Sequence, residues 1–236
     1  MSAMGTALST TGPRLAVTRM KFEPTMLRAY LVGGSQDTHH APAELLTKTE
    51  EALQAGITAF QYREKGSSNL SADQRLKLAQ QLRELTRHYR VPFFIDDDEE
   101  LALAVGADGV HVGQKDQRIE QVIQRAQGKL MIGYSCNRPA QIEKANQLAA
   151  VDYIGSGPVF PTQSKADADP ALGLSRLALL NRLSEQSVVA IGGITSDNIA
   201  ATLATGVAGA AVISMIFQSK DISQTVHQML TANSQS

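Results

Sequence analysis

The sequence lacks tryptophan, contains a single cysteine and has no long apolar run. Because Cys136 has no second cysteine to pair with, an internal disulfide is excluded, and a reducing cytoplasm is the expected location. A membrane-spanning helix needs roughly 20 consecutive apolar residues. No stretch of the chain meets that length, so no membrane partner is expected.

Runs of one charge sign are also missing. The 236 residues include 22 Lys and Arg against 23 Asp and Glu, which gives a formal net charge of −1. Without a basic stripe the chain lacks the electrostatic footprint of a protein that binds nucleic acid. Small molecules are therefore the expected ligands, and the sequence leaves the oligomeric state open, a homo-oligomer included.

The first 24 residues are rich in Ser, Thr and Gly and have no continuous apolar segment of the kind that a secretory signal needs. We interpret residues 1–24 as a flexible N-terminal extension. Residues 25–236 have the length of one domain with a large core.

From Leu27 onward, short apolar runs alternate with longer amphipathic segments, which is typical of repeated βα units around a parallel sheet. Eight runs are candidate strands: AYLVGG, TAFQYR, PFFIDD, GVHVG, LMIGYS, VDYIGSG, VVAIGG and GAAVIS. Eight units favour an α/β fold with a single (β/α)8 TIM barrel over an open doubly wound sheet. Since such barrels place their active sites at the carboxyl ends of the strands, the polar residues that close each strand become the candidates.

The second candidate strand ends in the segment FQYREKG. Period-two alternation places Gln61, Arg63 and Lys65 on one side of that strand. One amide and two cations can converge there on an anion, so the segment predicts a phosphate or pyrophosphate site.

Carboxylates follow the next two strands, at Asp96, Asp97, Asp98 and Asp116. Mg²⁺ prefers oxygen ligands and often bridges one or two carboxylates to a phosphate, so Asp97 and Asp116 are the candidate metal pair. Asp98 is better explained as a helix cap. His111 lies between two valines inside a strand, which indicates a packed, hydrogen-bonded histidine.

Later strand ends offer hydroxyls and glycines. Ser135 closes the fifth strand with no evident base beside it, which favours a hydroxyl donor to an anion over a nucleophile, and Cys136 is interpreted as a packing residue. A loop after the sixth strand carries hydroxyls and a cation, and the last two strands end in residues suited to a second phosphate site with backbone contacts. These residues are Thr162, Ser164, Lys165, Gly192, Gly193, Ile213 and Ser214.

Seven motifs in order, FQYREKG, FFIDDDEELAL, GVHVGQKD, IGYSCN, GPVFPTQSK, AIGGIT and AVIS, resemble those of the thiamine-phosphate synthase family from about Ala29 to Ser214. The resemblance implies a transferase that condenses 4-amino-5-hydroxymethyl-2-methylpyrimidine diphosphate with 4-methyl-5-(2-phosphoethyl)thiazole, or its carboxylated form. The implied products are thiamine phosphate and pyrophosphate, formed by a dissociative, Mg²⁺-assisted substitution.

Residue by residue, the resemblance implies catalytic roles for Arg63, Lys65, Ser135 and Lys165, and Mg²⁺ binding by Asp97 and Asp116. The implied substrate-binding residues are Gln61, Tyr62, Arg63, Glu64, Lys65, Asp96, Ser135, Thr162, Gln163, Ser164, Lys165, Gly193, Ile213 and Ser214. Two positions depart from the family pattern. Asp96 stands where the family usually has Asn, and Asn137 stands where many relatives have His.

Two alternatives stay open at this point. One is a thiazole tautomerase of the same superfamily, which would not need the diphosphate and metal residues. The other is a noncatalytic binder of phosphorylated ligands. Retention of Arg63, Lys65, Asp97, Asp116 and Lys165 favours the synthase.

Overall fold

Eight parallel strands close into one barrel in the computed structural model, and each strand pairs with its neighbours in chain order until β8 meets β1. The structure describes residues 20–66, 68–114, 118–162 and 170–232. The strands are β1 Ala29–Gly33, β2 Ala59–Tyr62, β3 Phe93–Asp96, β4 Gly109–Val112, β5 Met131–Ser135, β6 Tyr153–Ser156, β7 Ser187–Ile191 and β8 Gly209–Val212. Each of the eight predicted strands is present, and the closed barrel replaces the alternative of an open sheet.

Helices follow the strands and cover the outside of the barrel. They are α1 Pro42–Ala55, α2 Ala72–Tyr89, α3 Glu99–Val105, α4 Ile119–Ala126, α5 Pro139–Asn146, α6 Gly173–Leu183, α7 Ile199–Leu203, α8 Ser214–Phe217 and α9 Ile222–Ala232. Short 3₁₀ turns at Pro24–Leu27 and Ser35–Asp37 flank β1. Among the described residues, none of these helices combines the length and apolar character needed to span a bilayer.

Local sequence signals explain where individual helices begin. The side chain of Ser71 accepts a hydrogen bond from Gln74 N at 3.3 Å, while Ser71 N donates one to Gln74 Oε1 at 2.9 Å, which is a capping box before α2. Asp98 caps α3 by accepting from Leu101 N at 2.8 Å, as the sequence predicts. The α3 cap matters for the site, because it fixes the chain immediately after the rim residues Asp96 and Asp97.

A repeated hydrogen bond joins strands at the end of the barrel where they begin. Ala29 N donates to the Thr58 hydroxyl at 2.9 Å, Phe93 N to Asp108 at 2.9 Å, and Ile132 N to Asp152 at 2.7 Å. In each case the acceptor residue directly precedes a neighbouring strand in the sequence. Its side chain adds one hydrogen bond between the two strands next to their backbone pairing. In the first two cases a helix-ending glycine, Gly56 or Gly106, stands three residues before the strand that follows the acceptor.

The packed part of the chain begins before residue 25. Phe22 packs against the core, and its ring stacks on Tyr153 inside the barrel with centroids 5.8 Å apart. Residues 22–24 of the expected extension therefore belong structurally with the barrel. Residues 1–19 lie outside the described residues.

Asp108 offers a direct test of the strand-start device. Besides Phe93 N, its carboxylate accepts from Arg83 Nη1 at 2.7 Å and Nη2 at 3.2 Å. Asp108→Ala leaves both Phe93 N–H and Arg83 without their acceptor. We therefore expect the free energy of unfolding to fall by about 2–4 kcal/mol. Denaturant unfolding measures the loss, with Glu143→Ala on exposed α5 as a control expected to change it by less than about 0.5 kcal/mol. Equal effects of the two variants would contradict the assigned role.

Candidate active site

A cavity of about 370 Å³ opens at the carboxyl ends of the strands. Its lining comes from the ends of β2 to β8, and it includes Arg63, Lys65, Asp96, Asp97, Ser135, Thr162, Gly193, Ile213 and Ser214 among the predicted site residues. The sequence predicts the active site at the strand ends, and the structure forms this cavity there. Residues from distant parts of the sequence meet there because all the parallel strands end on one side of the barrel.

One side of the cavity carries interlocked charges from β2 and β3. The Asp96 carboxylate lies 3.3 Å from Arg63 Nε and 3.5 Å from Lys65 Nζ, and Lys65 also contacts the carboxylate of Asp97. Asp96 and Arg63 are both buried, so their attraction acts in a medium less polar than water. We call Arg63, Lys65, Asp96 and Asp97 the charged corner.

Asp97 is held by the backbone around it. Its φ of +58° lies in the left-handed region, which costs a non-glycine residue about 1 kcal/mol. Asp97 N donates to His111 O at 2.8 Å, and Gly113 N donates to the Asp97 carboxylate at 3.2 Å. These bonds from β4 maintain the strained conformation and keep the carboxylate at the cavity wall.

Two carboxylate oxygens at a cavity wall are a donor set that suits Mg²⁺. Asp97 supplies part of that set in the described chain, whereas Asp116 lies outside the described residues. Within the described ranges there is no cluster of three or more His, Cys, Asp or Glu side chains that could hold a metal by itself. The described residues thus offer the Asp97 carboxylate to a cation, whose other ligands would have to come from elsewhere.

Three of the predicted substrate-binding residues on β2 or just after it do not line the cavity. The amide of Gln61 points into the barrel interior, where its Nε2 donates to the Tyr30 hydroxyl at 3.0 Å. Tyr62 is buried among core residues, and burial raises the pKa of its phenol far above the usual range. The carboxylate of Glu64 accepts from Ser35 N at 2.9 Å and also binds the Ser35 hydroxyl, so it fixes the loop after β1.

Ser135 has a histidine beside it, contrary to the expectation that no base is near. His111 Nε2 lies 2.9 Å from Ser135 Oγ, and His111 Nδ1 lies 3.1 Å from the Tyr153 hydroxyl. The contact arises because His111 on β4 and Ser135 on β5 both point inward. His111 is packed and hydrogen-bonded as predicted, yet it also lines the cavity.

The residues that follow Ser135 hold the cavity wall together. Asn137 accepts from Gly157 N at 2.9 Å, which ties the end of β5 to the loop after β6. Gln114 donates to Ser135 O at 2.8 Å. Arg138, an exposed residue that the sequence analysis does not single out, also lines the cavity. A charged residue just before a helix-starting proline carries no sequence signal for this position.

The opposite side of the cavity is built from backbone-rich segments of β7 and β8. Gly193 has a φ of +67°, and a Cβ there would lie 2.7 Å from Pro161 O. Only glycine leaves room for the β6 loop to approach this closely. Gly193, Ile213, Ser214 and Thr162 form what we call the backbone corner, while Gln163, Ser164 and Lys165 lie outside the described residues.

Cations, carboxylates, hydroxyls and glycine backbone meet at the mouth of this (β/α)8 barrel. This combination is typical of enzymes that act on phosphorylated small molecules. A family model described as thiamine monophosphate synthase matches residues 29–216. The thiamine-phosphate synthase of Limosilactobacillus fermentum is 59% identical over 211 residues, covering 89% of this chain and 99% of the relative. That of Limosilactobacillus reuteri is 55% identical over 210 residues, covering 89% and 98%.

A solved structure agrees with these relatives. Thiamine phosphate pyrophosphorylase from Pyrococcus furiosus superposes with a TM-score of 0.78 at 33% identity, over 90% of this chain and 98% of its own. The chain therefore belongs to the thiamine monophosphate synthase family. Its function is that of a thiamine-phosphate synthase, a transferase of thiamine synthesis that acts on small molecules.

Cys136 gives a test of the packing behind the cavity wall, between Ser135 and Asn137. Burial raises the pKa of its thiol from 9.0 to about 12, with Gln114 opposing the shift. Because a raised pKa keeps the thiol protonated, very little of the reactive thiolate is present at pH 8. We expect almost no reaction with a disulfide reagent such as DTNB in the folded protein, and full reaction of this single cysteine after denaturation. Rapid labelling of the folded chain would contradict the buried placement.

Proposed function

We propose that the enzyme condenses 4-amino-5-hydroxymethyl-2-methylpyrimidine diphosphate with 4-methyl-5-(2-phosphoethyl)thiazole, or its carboxylated form. The observation that carries the proposal is the pairing of a charged corner and a backbone corner across one cavity. Two phosphorylated substrates held in this way would bring their rings together between the corners. We place the reaction in the cytoplasm, which the free thiol of Cys136 supports.

The diphosphate is assigned to the charged corner. Arg63 and Lys65 there carry the cations, and Lys65 is the more accessible, with 36% of its side chain exposed against 11% for Arg63. Lys165, outside the described residues, is proposed as a third cation. Positive charge fixed beforehand stabilises the departing diphosphate more effectively than solvent that must reorganise.

Mg²⁺ would be held by Asp97 together with Asp116. When bound, the ion supplies positive charge that offsets the charge developing on the leaving diphosphate. Asp97 is suited to this role because hydrogen bonds from Gly113 N and to His111 O fix its position. The contact of Lys65 with Asp97 would be exchanged for contacts with the metal and the substrate.

The thiazole phosphate is assigned to the backbone corner. Gly193 lets the end of β7 and the loop after β6 pack closely against each other, and Thr162 and Ser214 add hydroxyls at the cavity. Hydroxyl and amide donors recognise a phosphate without placing a second cluster of cations beside the first. Gln163 and Ser164 are proposed to extend this corner.

The chemical step needs no protein nucleophile. The bond between the pyrimidine methylene carbon and the diphosphate oxygen breaks, and the diphosphate leaves with the electron pair. The ring amino group stabilises the resulting cation, and the thiazole nitrogen then attacks the methylene carbon to form the new C–N bond. With the carboxylated thiazole, the carboxyl group leaves as CO2, its bonding electron pair stays on the ring carbon, and a proton from solvent replaces it. Ser135 sits beside His111, but the other nitrogen of that histidine meets a tyrosine hydroxyl, so we assign Ser135 a hydrogen-bonding role.

Release of pyrophosphate tests the reaction. The protein mixed with both substrates and Mg²⁺ should release pyrophosphate and form thiamine phosphate in equal amounts, and omission of the thiazole phosphate should lower the rate steeply. A thiazole tautomerase or a noncatalytic binder would release no pyrophosphate under any of these conditions. Absence of release with the complete mixture would refute the proposal.

Three consecutive aspartates allow a matched test of the metal assignment. Asp97→Asn should lower turnover at least about 100-fold and raise the Mg²⁺ requirement. Asp98→Asn removes the same charge one residue later but keeps the cap of α3, so activity should stay near normal.

Asp96→Asn should keep or improve turnover, because the carboxylate beside Arg63 and Lys65 competes with the diphosphate. Steady-state kinetics across Mg²⁺ concentrations measures all three, and a large loss for Asp96→Asn would contradict that competition.

A further inference from the structure

A line of hydrogen-bonded side chains crosses the barrel interior beneath the cavity. Gln61 Nε2 donates to the Tyr30 hydroxyl at 3.0 Å, and the hydroxyls of Tyr30 and Tyr153 lie 2.9 Å apart. From Tyr153 the line continues to His111 Nδ1 at 3.1 Å, and from His111 Nε2 to Ser135 Oγ at 2.9 Å. We call these five residues the interior chain. It connects β2 to β5 through the middle of the barrel.

The surrounding packing is shaped to hold the interior chain in place. A Cβ at Gly133 would overlap both the Tyr153 ring and His111 Nδ1, and one at Gly155 would lie 2.9 Å from His111 Cε1. The Tyr153 ring also stacks on Phe22 and meets the edge of Phe94 at 5.6 Å. Rings fixed on several sides leave the hydroxyl little freedom to choose another partner.

Both tyrosine hydroxyls keep their protons. Tyr30 and Tyr153 are almost completely buried, and burial raises the pKa of each well above its usual value of 10. Each hydroxyl therefore has one proton to donate and an oxygen that accepts. The direction of donation along the interior chain is therefore determined by the partners of each hydroxyl.

The direction is set at Gln61. Its Nε2 can only donate, so the Tyr30 oxygen accepts and the Tyr30 proton must find a different acceptor. Within the described part of the chain, the Tyr153 oxygen is the remaining hydrogen-bond partner of that hydroxyl. If Tyr153 donated to Tyr30 instead, the Tyr30 proton would be buried without an acceptor, which is unfavourable.

Donation then passes on to the cavity. With its oxygen accepting from Tyr30, the Tyr153 hydroxyl directs its proton to His111 Nδ1. A neutral imidazole that accepts at Nδ1 carries its proton on Nε2, and this N–H donates to Ser135 Oγ. The Ser135 proton is consequently not used within the interior chain and can be directed to a ligand in the cavity.

We propose that Tyr30 and Tyr153 are positioning residues that hold His111 as the Nε2–H tautomer and thereby direct the Ser135 hydroxyl proton toward the substrate. The proposal rests on the proposed function for its substrate. The group recognised is a hydrogen-bond acceptor of the pyrimidine diphosphate, either a phosphate oxygen or a ring nitrogen. Gln61 would thus influence substrate binding through the interior chain.

The tautomer of His111 tests the interior chain without an assay of activity. Nitrogen-15 NMR of the full chain at about pH 8, where an unperturbed imidazole is neutral, distinguishes Nε2–H from Nδ1–H. The His111 signals are assigned by their loss in a His111→Asn variant. We expect Nε2–H in the unmodified protein and in Tyr89→Phe, a control that removes an exposed tyrosine hydroxyl outside the barrel, and a shift toward Nδ1–H in Tyr153→Phe. An unmodified protein with Nδ1–H, or an unchanged tautomer in Tyr153→Phe, would overturn the proposal.

Kinetics tests the link to Ser135. Tyr153→Phe keeps the ring and removes one hydrogen bond, so kcat/KM should fall roughly tenfold. Ser135→Ala should cost at least as much, and the double variant should be no slower than Ser135→Ala alone. Losses that multiply in the double variant, or a fully active Ser135→Ala, would overturn the link. Failure of the proposed function would appear differently, as absence of pyrophosphate release by the unmodified protein.

Thermal unfolding of each variant checks that the fold is retained. Tyr30→Phe provides a second version of the test, because it interrupts the interior chain one bond farther from His111. If Tyr153→Phe does not fold, a partial shift of tautomer and a smaller loss of kcat/KM are expected for Tyr30→Phe, because the Tyr153 hydroxyl then no longer accepts from Tyr30 and its direction toward His111 Nδ1 is no longer fixed. An unchanged tautomer in a folded Tyr30→Phe would then refute the proposal.

Discussion

Closure of the sheet is the constraint on which the rest of the molecule depends. The pairing of β8 with β1, with Ala29 opposite Ala210, leaves no strand edge and brings the carboxyl ends of all eight strands to one rim. Residues far apart in sequence become neighbours through this closure alone. Strand-start bonds such as those of Thr58 and Asp108 support the closure at the other end, where they do not compete with the rim for space.

The rim balances attraction among its own charges against attraction for ligands. Arg63 is buried and needs a counter-ion, which Asp96 provides at 3.3 Å. The same contact lowers the positive potential that a diphosphate would meet. A carboxylate at position 96 therefore stabilises the ligand-free rim, and binding must exchange one set of ion pairs for another. Desolvation of the cavity by two substrates would strengthen the new set.

The sequence predicted the architecture well and the detailed contacts less well. Eight strands were recognisable because each is an apolar run buried on both faces, bounded by glycine or polar residues. Alternation correctly grouped Gln61, Arg63 and Lys65 on one side, but it carries no information on height in the barrel, and Gln61 lies below the cavity. The proximity of His111 and Ser135 depends on the pairing of β4 with β5, which neither strand encodes by itself. Asp116, Ser164 and Lys165 remain predictions.

The left-handed backbone at Asp97 has an evolutionary consequence. A glycine would adopt its φ of +58° without that penalty, but it would lose the bond from Gly113 N and the contact with Lys65. If the carboxylate holds the metal as proposed, selection for turnover keeps an aspartate at this position whatever the balance of these contributions to stability.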